Sequence, residues 1–170
     1  MGIRAVHPGD EPPVVPPIPP LPQRHRERPA PNWPAALISS AGVIAAIMGT
    51  FLSWRVADHE SGFVTHLIGW DQAGKAVVIL VAGLVAAGAT GALWTDLRGL
   101  TLKLVLLTTG LVVLAAAGLE IANVLSLDPF DGYEYSVGSG LPVVAVGGAL
   151  LVLAALVDRG PWAFGSDPPT

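Results

Sequence analysis

Between residues 55 and 75 the chain gathers Asp58, His59, Glu60, His66 and Asp71, the side chains best suited to hold a metal in a sequence without cysteine. Imidazole and carboxylate groups together can complete a four-ligand zinc site. On a single helix His59 and His66 would share a face after two turns. Their spacing matches neither H-E-x-x-H nor another metal motif, and Gly62 and Gly69 point to a bent loop. Two readings stand: solvated loop residues, or a metal- or proton-sensitive site built from Asp58, His59, Glu60 and His66. A separate candidate is Glu120, a carboxylate inside an apolar run. Intramembrane acids are costly and by default mark proton or ion paths. Glu120 also lies near the end of a long run, where it would be a wet group at an interface. Buried acid and interfacial acid both remain open, with Asn123 one turn on as a hydrogen-bonding neighbour in either case.

Other chemistry is narrowed by what the chain lacks. The stretch Asp128-Pro129-Phe130-Asp131-Gly132 invites comparison with the D-x-x-D-G start of the membrane CDP-alcohol phosphotransferase motif, but the Ala-Arg and two later aspartates of that motif are missing. Oxygen ligands are not at positions 1, 3 and 5, so an EF-hand is excluded, and the stretch is expected to be a turn with exposed acids. The absence of cysteine removes disulfides, thiolate metal sites and thiol catalysis, including the cysteine-pair chemistry of four-helix membrane thiol oxidoreductases. Small multidrug exporters need an acid in the first span, which has none here. Haem-binding four-helix proteins need histidines within spans, whereas all four histidines lie outside the apolar runs. No cofactor is expected.

The elements that must position these side chains are membrane helices. The chain is 52% hydrophobic and 13% charged, with a mean hydropathy of +0.60, against about a quarter charged residues in soluble domains. Four apolar segments stand out, at about 35–54, 76–95, 100–125 and 141–157. A span needs about 20 apolar residues, with about 17 to 25 acceptable. The expected fold is therefore all-α: four transmembrane helices in two hairpins, covering residues 35–158, with outer loops at 55–75 and 126–140. The five tryptophans fall at segment ends: Trp33 and Trp54 around the first, Trp70 and Trp94 around the second, Trp162 after the fourth. Indole favours the headgroup level, so all five are predicted to be interface anchors.

Orientation follows from the lysines and arginines. Arg4, Arg24, Arg26, Arg28, Arg98, Lys103 and Arg159 fall on one side, against Arg55 and Lys75 on the other. The positive-inside rule puts both termini in the cytoplasm and the two long, acidic loops outside. A cleaved signal peptide in place of the first span is disfavoured: 34 residues precede the run, the run is 20 long, and Ser53-Trp54-Arg55 is a poor cleavage site.

Residues 1–34 are expected to be a disordered, proline-rich cytoplasmic tail, with eleven prolines between residues 8 and 34 and partial polyproline II character. Pro19-Pro20-Leu21-Pro22-Gln23-Arg24 fits P-x-x-P-x-R, although a spacer role is the simpler one. Residues 159–170 form a short cytoplasmic tail. A faint duplication runs through the chain: Leu52-Ser53, a loop, a glycine and an Ala/Val/Gly helix recur as Leu125-Ser126, a loop, Gly138 and Gly140, and another such helix. Ala41, Ala45 and Gly49 repeat every four residues on the first span, as do Gly83, Ala87 and Gly91 on the second. Such stripes let helix backbones approach closely, and both are predicted to face other helices.

Taken over residues 33–160, with Phe51-Leu52-Ser53-Trp54 closing the first span, the pattern resembles the small four-span integral membrane proteins of unassigned function common in high-GC bacteria. The seven-to-two excess of arginine over lysine, beside heavy Ala, Gly, Val and Leu use, agrees with such a source. The resemblance carries over no active residues. The expected function is a non-enzymatic accessory or scaffold subunit of the bacterial inner membrane. Its partners would be the lipid bilayer and other membrane subunits or further copies of itself, and its scattered charge does not suggest nucleic acid. The alternative is a small transporter or ion-coupled protein using Glu120. An outer-face enzyme built on 58–66 or 128–134 ranks third.

Overall fold

The computed structural model describes residues 32–95, 97, 99–129 and 132–158. The proline-rich tail with its P-x-x-P-x-R stretch, the basic residues before residue 32, Arg98, Asp131, Arg159 and Trp162 lie outside the described residues. The described part is mostly helical, with helices α1 (Trp33–Gly49), α2 (Ala73–Trp94), α3 (Leu100–Leu125) and α4 (Gly140–Val157). It also contains a small antiparallel sheet that the all-α expectation lacks: β1 (Ser53–His59), β2 (Val64–Ile68) and β3 (Tyr133–Val137), in the order β2-β1-β3.

Gly74–Trp94, α3 and α4 are long and apolar enough to cross a membrane, while α1 is apolar but only 17 residues long. The first predicted span, 35–54, is therefore helical only to Gly49. Its last residues turn out of the helix and enter β1. That exit is built locally. Thr50 donates its hydroxyl to the Ile47 carbonyl at 2.7 Å, and the Trp54 indole N–H donates to the Gly49 carbonyl at 2.9 Å. Carbonyls at a helix end have no intrahelical donor, and here the following residues supply them. Both predicted outer loops contribute strands. Residues 55–75 hold most of the β1–β2 hairpin, turning at Gly62 with a positive φ of 82°, and 126–140 holds β3.

Successive helices pack side by side, and α4 closes back onto α1. The tightest crossings are made by glycine. A Cβ on Gly147 would lie 2.5 Å from the Ala46 backbone nitrogen, and one on Gly148 would lie 2.9 Å from the Gly110 carbonyl oxygen. This adjacent pair on α4 thus receives α1 with one residue and α3 with the next, as expected about 100° apart on a 3.6-residue helix. Apolar association is weak in lipid, and backbone proximity at small residues compensates.

The predicted small-residue stripes are shifted relative to this contact. On α1 the buried line is Ala35, Ser39, Gly42, Ala46 and Gly49, whereas Ala41 is exposed and Ala45 half-buried. On α2 Gly83 is buried against Ile47 and Ala87 is half-buried, but Gly91 is exposed, with nothing within 4 Å of where a Cβ would stand. An Ala/Gly-rich helix offers several parallel stripes, and the Gly147-Gly148 pair selects the one through Gly42.

Candidate functional site

The ring pairs mark the two ends of the bundle. Trp33 and Trp94 meet edge to face at 5.2 Å where α1 begins and α2 ends, and Phe51 and Trp70 lie 5.8 Å apart beside the sheet. Trp54 behaves differently. It is 1% exposed and belongs to the core, so its indole is not available to headgroups. The strand register slips between Ser53 and Arg55, and this irregularity turns Trp54 under the sheet. Glycines make room for it: a Cβ on Gly69 would lie 2.6 Å from its Cε2, and one on Gly140 would lie 2.8 Å from its Cδ1. Gly69 and Gly140 are thus walls of one indole slot.

Beside Trp54 is the most concentrated charge of the described residues. Arg55 on β1 donates to Glu120 Oε1 from Nη2 at 2.5 Å and from Nε at 3.2 Å, and Lys75 on α2 donates to Oε2. Glu120 on α3 is only 1% exposed, Arg55 17% and Lys75 51%. One carboxylate therefore joins the sheet, α2 and α3. Of the two readings open for Glu120, wet at an interface or buried, the side chain is buried, although it lies near the sheet end of its helix. Its hydrogen-bond partners are the two cations and not Asn123, which is exposed. Desolvating a carboxylate is expensive unless pairing and hydrogen bonds replace its water, and here both oxygens are taken. In the sequence Arg55 and Lys75 bear on topology alone. The available signal was that they are the two basic residues of 55–75, on the same predicted side as the one acid of the apolar runs.

The candidate metal residues Asp58, His59, Glu60 and His66 are not brought together as one group. Val56 pairs with His66 across β1 and β2, so His66 shares a face with Val56 and Asp58, while His59 points to the other face. His59 is occupied: its Nδ1 accepts the Ser61 backbone N–H at 3.1 Å, and its ring packs on Tyr133 at 4.5 Å. Glu60 lies beyond the strand end, in the turn. Asp71 accepts the Ile68 N–H at 2.8 Å and so organises the 3-10 turn Gly69–Gln72. Among the described residues no group of three or more His, Asp or Glu side chains is arranged to hold a metal ion. On the outward face Asp58 pairs directly with Glu134, a like-charge neighbour pair that solvent must screen.

At the other end of the bundle Asn32 donates to Asp158, and Lys103 and Asp158 are both buried, each with polar contacts. Lys103, one of the seven basic residues that set the expected orientation, is thus inside the first turn of α3 and not on a loop.

No protein-family model matches the chain, and no curated protein matches it.

Proposed function

We propose that the chain is a small four-span protein of the bacterial inner membrane, with both termini in the cytoplasm and the three-stranded sheet on the outer face, acting as a non-enzymatic scaffold or accessory subunit. Three helices of spanning length support the membrane reading. At about 1.5 Å per residue α1 covers roughly 25 Å, and Trp33 and Phe51 frame it with aromatic rings, so it crosses with its ends in the headgroup zones. Reporter fusions test the topology. A reporter in the hairpin turn at Gly62 is expected to be active only as an outer-face reporter, and one before residue 32 only as a cytoplasmic one; the reverse pattern overturns the orientation.

The observation that carries the scaffold reading is the use of Glu120. A carrier carboxylate must exchange its partner for an ion or water. This one has both oxygens bonded, and one cation comes from a strand flanked by strands on both sides. The helices beneath it meet at backbone distance. Such an arrangement holds a rigid outer sheet on a membrane stem.

The second reading, an ion-coupled transporter, draws on the same carboxylate being 1% exposed on an apolar helix. Glu120→Gln separates the two. As a scaffold, the protein should lose about 1–3 kcal/mol, the worth of hydrogen bonds to a charged group, because Arg55 loses its carboxylate while half-exposed Lys75 turns to solvent; the apparent melting point in mild detergent should fall, with no proton-linked flux in vesicles of parent or variant. Proton-linked flux in the parent that vanishes in a variant as stable as the parent would sink the scaffold reading.

A further inference from the structure

Beside the ion triad, α2 and α3 leave a groove of about 210 Å³, lined by Gly74, Lys75, Val78, Ala116, Leu119 and Glu120. We propose that this groove binds one anionic phospholipid of the outer leaflet, with its phosphodiester on Lys75 and an acyl chain along Val78, Ala116 and Leu119. The proposal rests on the membrane reading above.

Charge supplies the first argument. Two cations surround one carboxylate, so the triad carries a residual single positive charge, matching a phosphodiester. Glu120 does not oppose an anion there, because both its oxygens are bonded and it is 1% exposed. The exposed member is Lys75, which spends one of three ammonium donors on Glu120 and keeps half its side chain open. Shape supplies the second. Val78 lies one turn along α2 from Lys75, and Ala116 one turn along α3 from Glu120, both towards the middle of the helices. The polar end of the groove is thus at the sheet side and its apolar end about 5 Å deeper, the order of headgroup and first methylenes in a lipid. Val78 and Leu119 are exposed walls and Ala116 is a small floor between them, so the apolar part opens sideways to bilayer.

The test uses the full chain in vesicles containing equal phosphatidylcholine and phosphatidylglycerol, extracted in mild detergent and weighed by native mass spectrometry. One retained phospholipid per chain is expected, with phosphatidylglycerol favoured about fivefold, the preference one surface lysine supplies. Lys75→Gln should bring the ratio to about one, and Lys75→Arg should keep the preference. Since Lys75→Gln also disturbs the triad, Val78→Trp is the second variant: it fills the groove while leaving all three charges, and should lose the lipid at an unchanged melting point. Equal retention of both lipids by the parent, phosphatidylglycerol kept by Val78→Trp, displacement by soluble glycerol phosphate, or a lipid-free dimer each overturns the proposal alone. Failure of the chain to enter vesicles overturns the membrane reading and the proposal with it.

Discussion

Trp54→Ala is expected to cost about 3–5 kcal/mol, the range for emptying a buried aromatic site, and to lower the apparent melting point of the detergent-solubilised chain more than any other single change on the sheet. The slot around the indole is made of backbone at Gly69 and Gly140, and backbone held by a sheet and a helix start relaxes poorly into a cavity. The same substitution removes the shorter of two hydrogen bonds to the Gly49 carbonyl at the end of α1, leaving the Leu52 backbone N–H at 3.4 Å. Trp54→Phe separates the two effects. It keeps most of the apolar contact, and its cost should fall to about 0.5–1.5 kcal/mol, the net worth of one hydrogen bond, since the Leu52 N–H still reaches the Gly49 carbonyl. A midpoint for Trp54→Ala within about 1 kcal/mol of the parent would show that the slot does not hold the sheet.

Gly147→Leu is expected to prevent the bundle from closing, with loss of the folded species in size-exclusion profiles and a sharp drop in membrane yield. A Cβ at this position meets the Ala46 nitrogen at 2.5 Å and the Gly42 carbonyl oxygen at 2.9 Å. These are backbone atoms of a neighbouring helix, so relief requires moving all of α1. Even Gly147→Ala should cost about 1–3 kcal/mol, the usual penalty of overpacking. The comparison is Gly91→Ala on α2, where a Cβ meets nothing within 4 Å. There the gain in helix propensity, up to about 1 kcal/mol, should leave the melting point unchanged or slightly raised. A clear loss for one chemical change at Gly147 and none at Gly91 distinguishes packing from propensity.

The apolar runs made the helices legible. α3 occupies 100–125 as expected, and α4 starts one residue before the predicted 141. What could not be read were features that depend on partners distant in sequence. Trp54 belongs to the first apolar run by composition, yet that run leaves the helix at Gly49 because Gly69 and Gly140 offer its indole a place elsewhere. The strands are short, and Tyr133–Val137 shows polar–apolar alternation over only five residues; its pairing with β1 joins the two predicted loops. The site suffered from the same distance. His59 and His66 looked like a pair by spacing, but strand register sets them on opposite faces. Glu120, Arg55 and Lys75 each drew notice separately, and only the packing of sheet on helices makes them one site.

The strand order also sets a clock on assembly. In the proposed topology β1 and β2 leave the translocation machinery with the first loop, whereas β3 follows only after α3 has crossed. Until then the hairpin is a two-stranded ribbon, marginal by itself in water, and Arg55 waits for a carboxylate not yet made. Glu120 arrives at the end of α3, and the second loop then supplies the third strand and Gly140. In that topology the sheet closes as a single late event, and a chain stalled after its first two helices would carry an unpaired cation and an open strand edge to any quality-control protease at that surface.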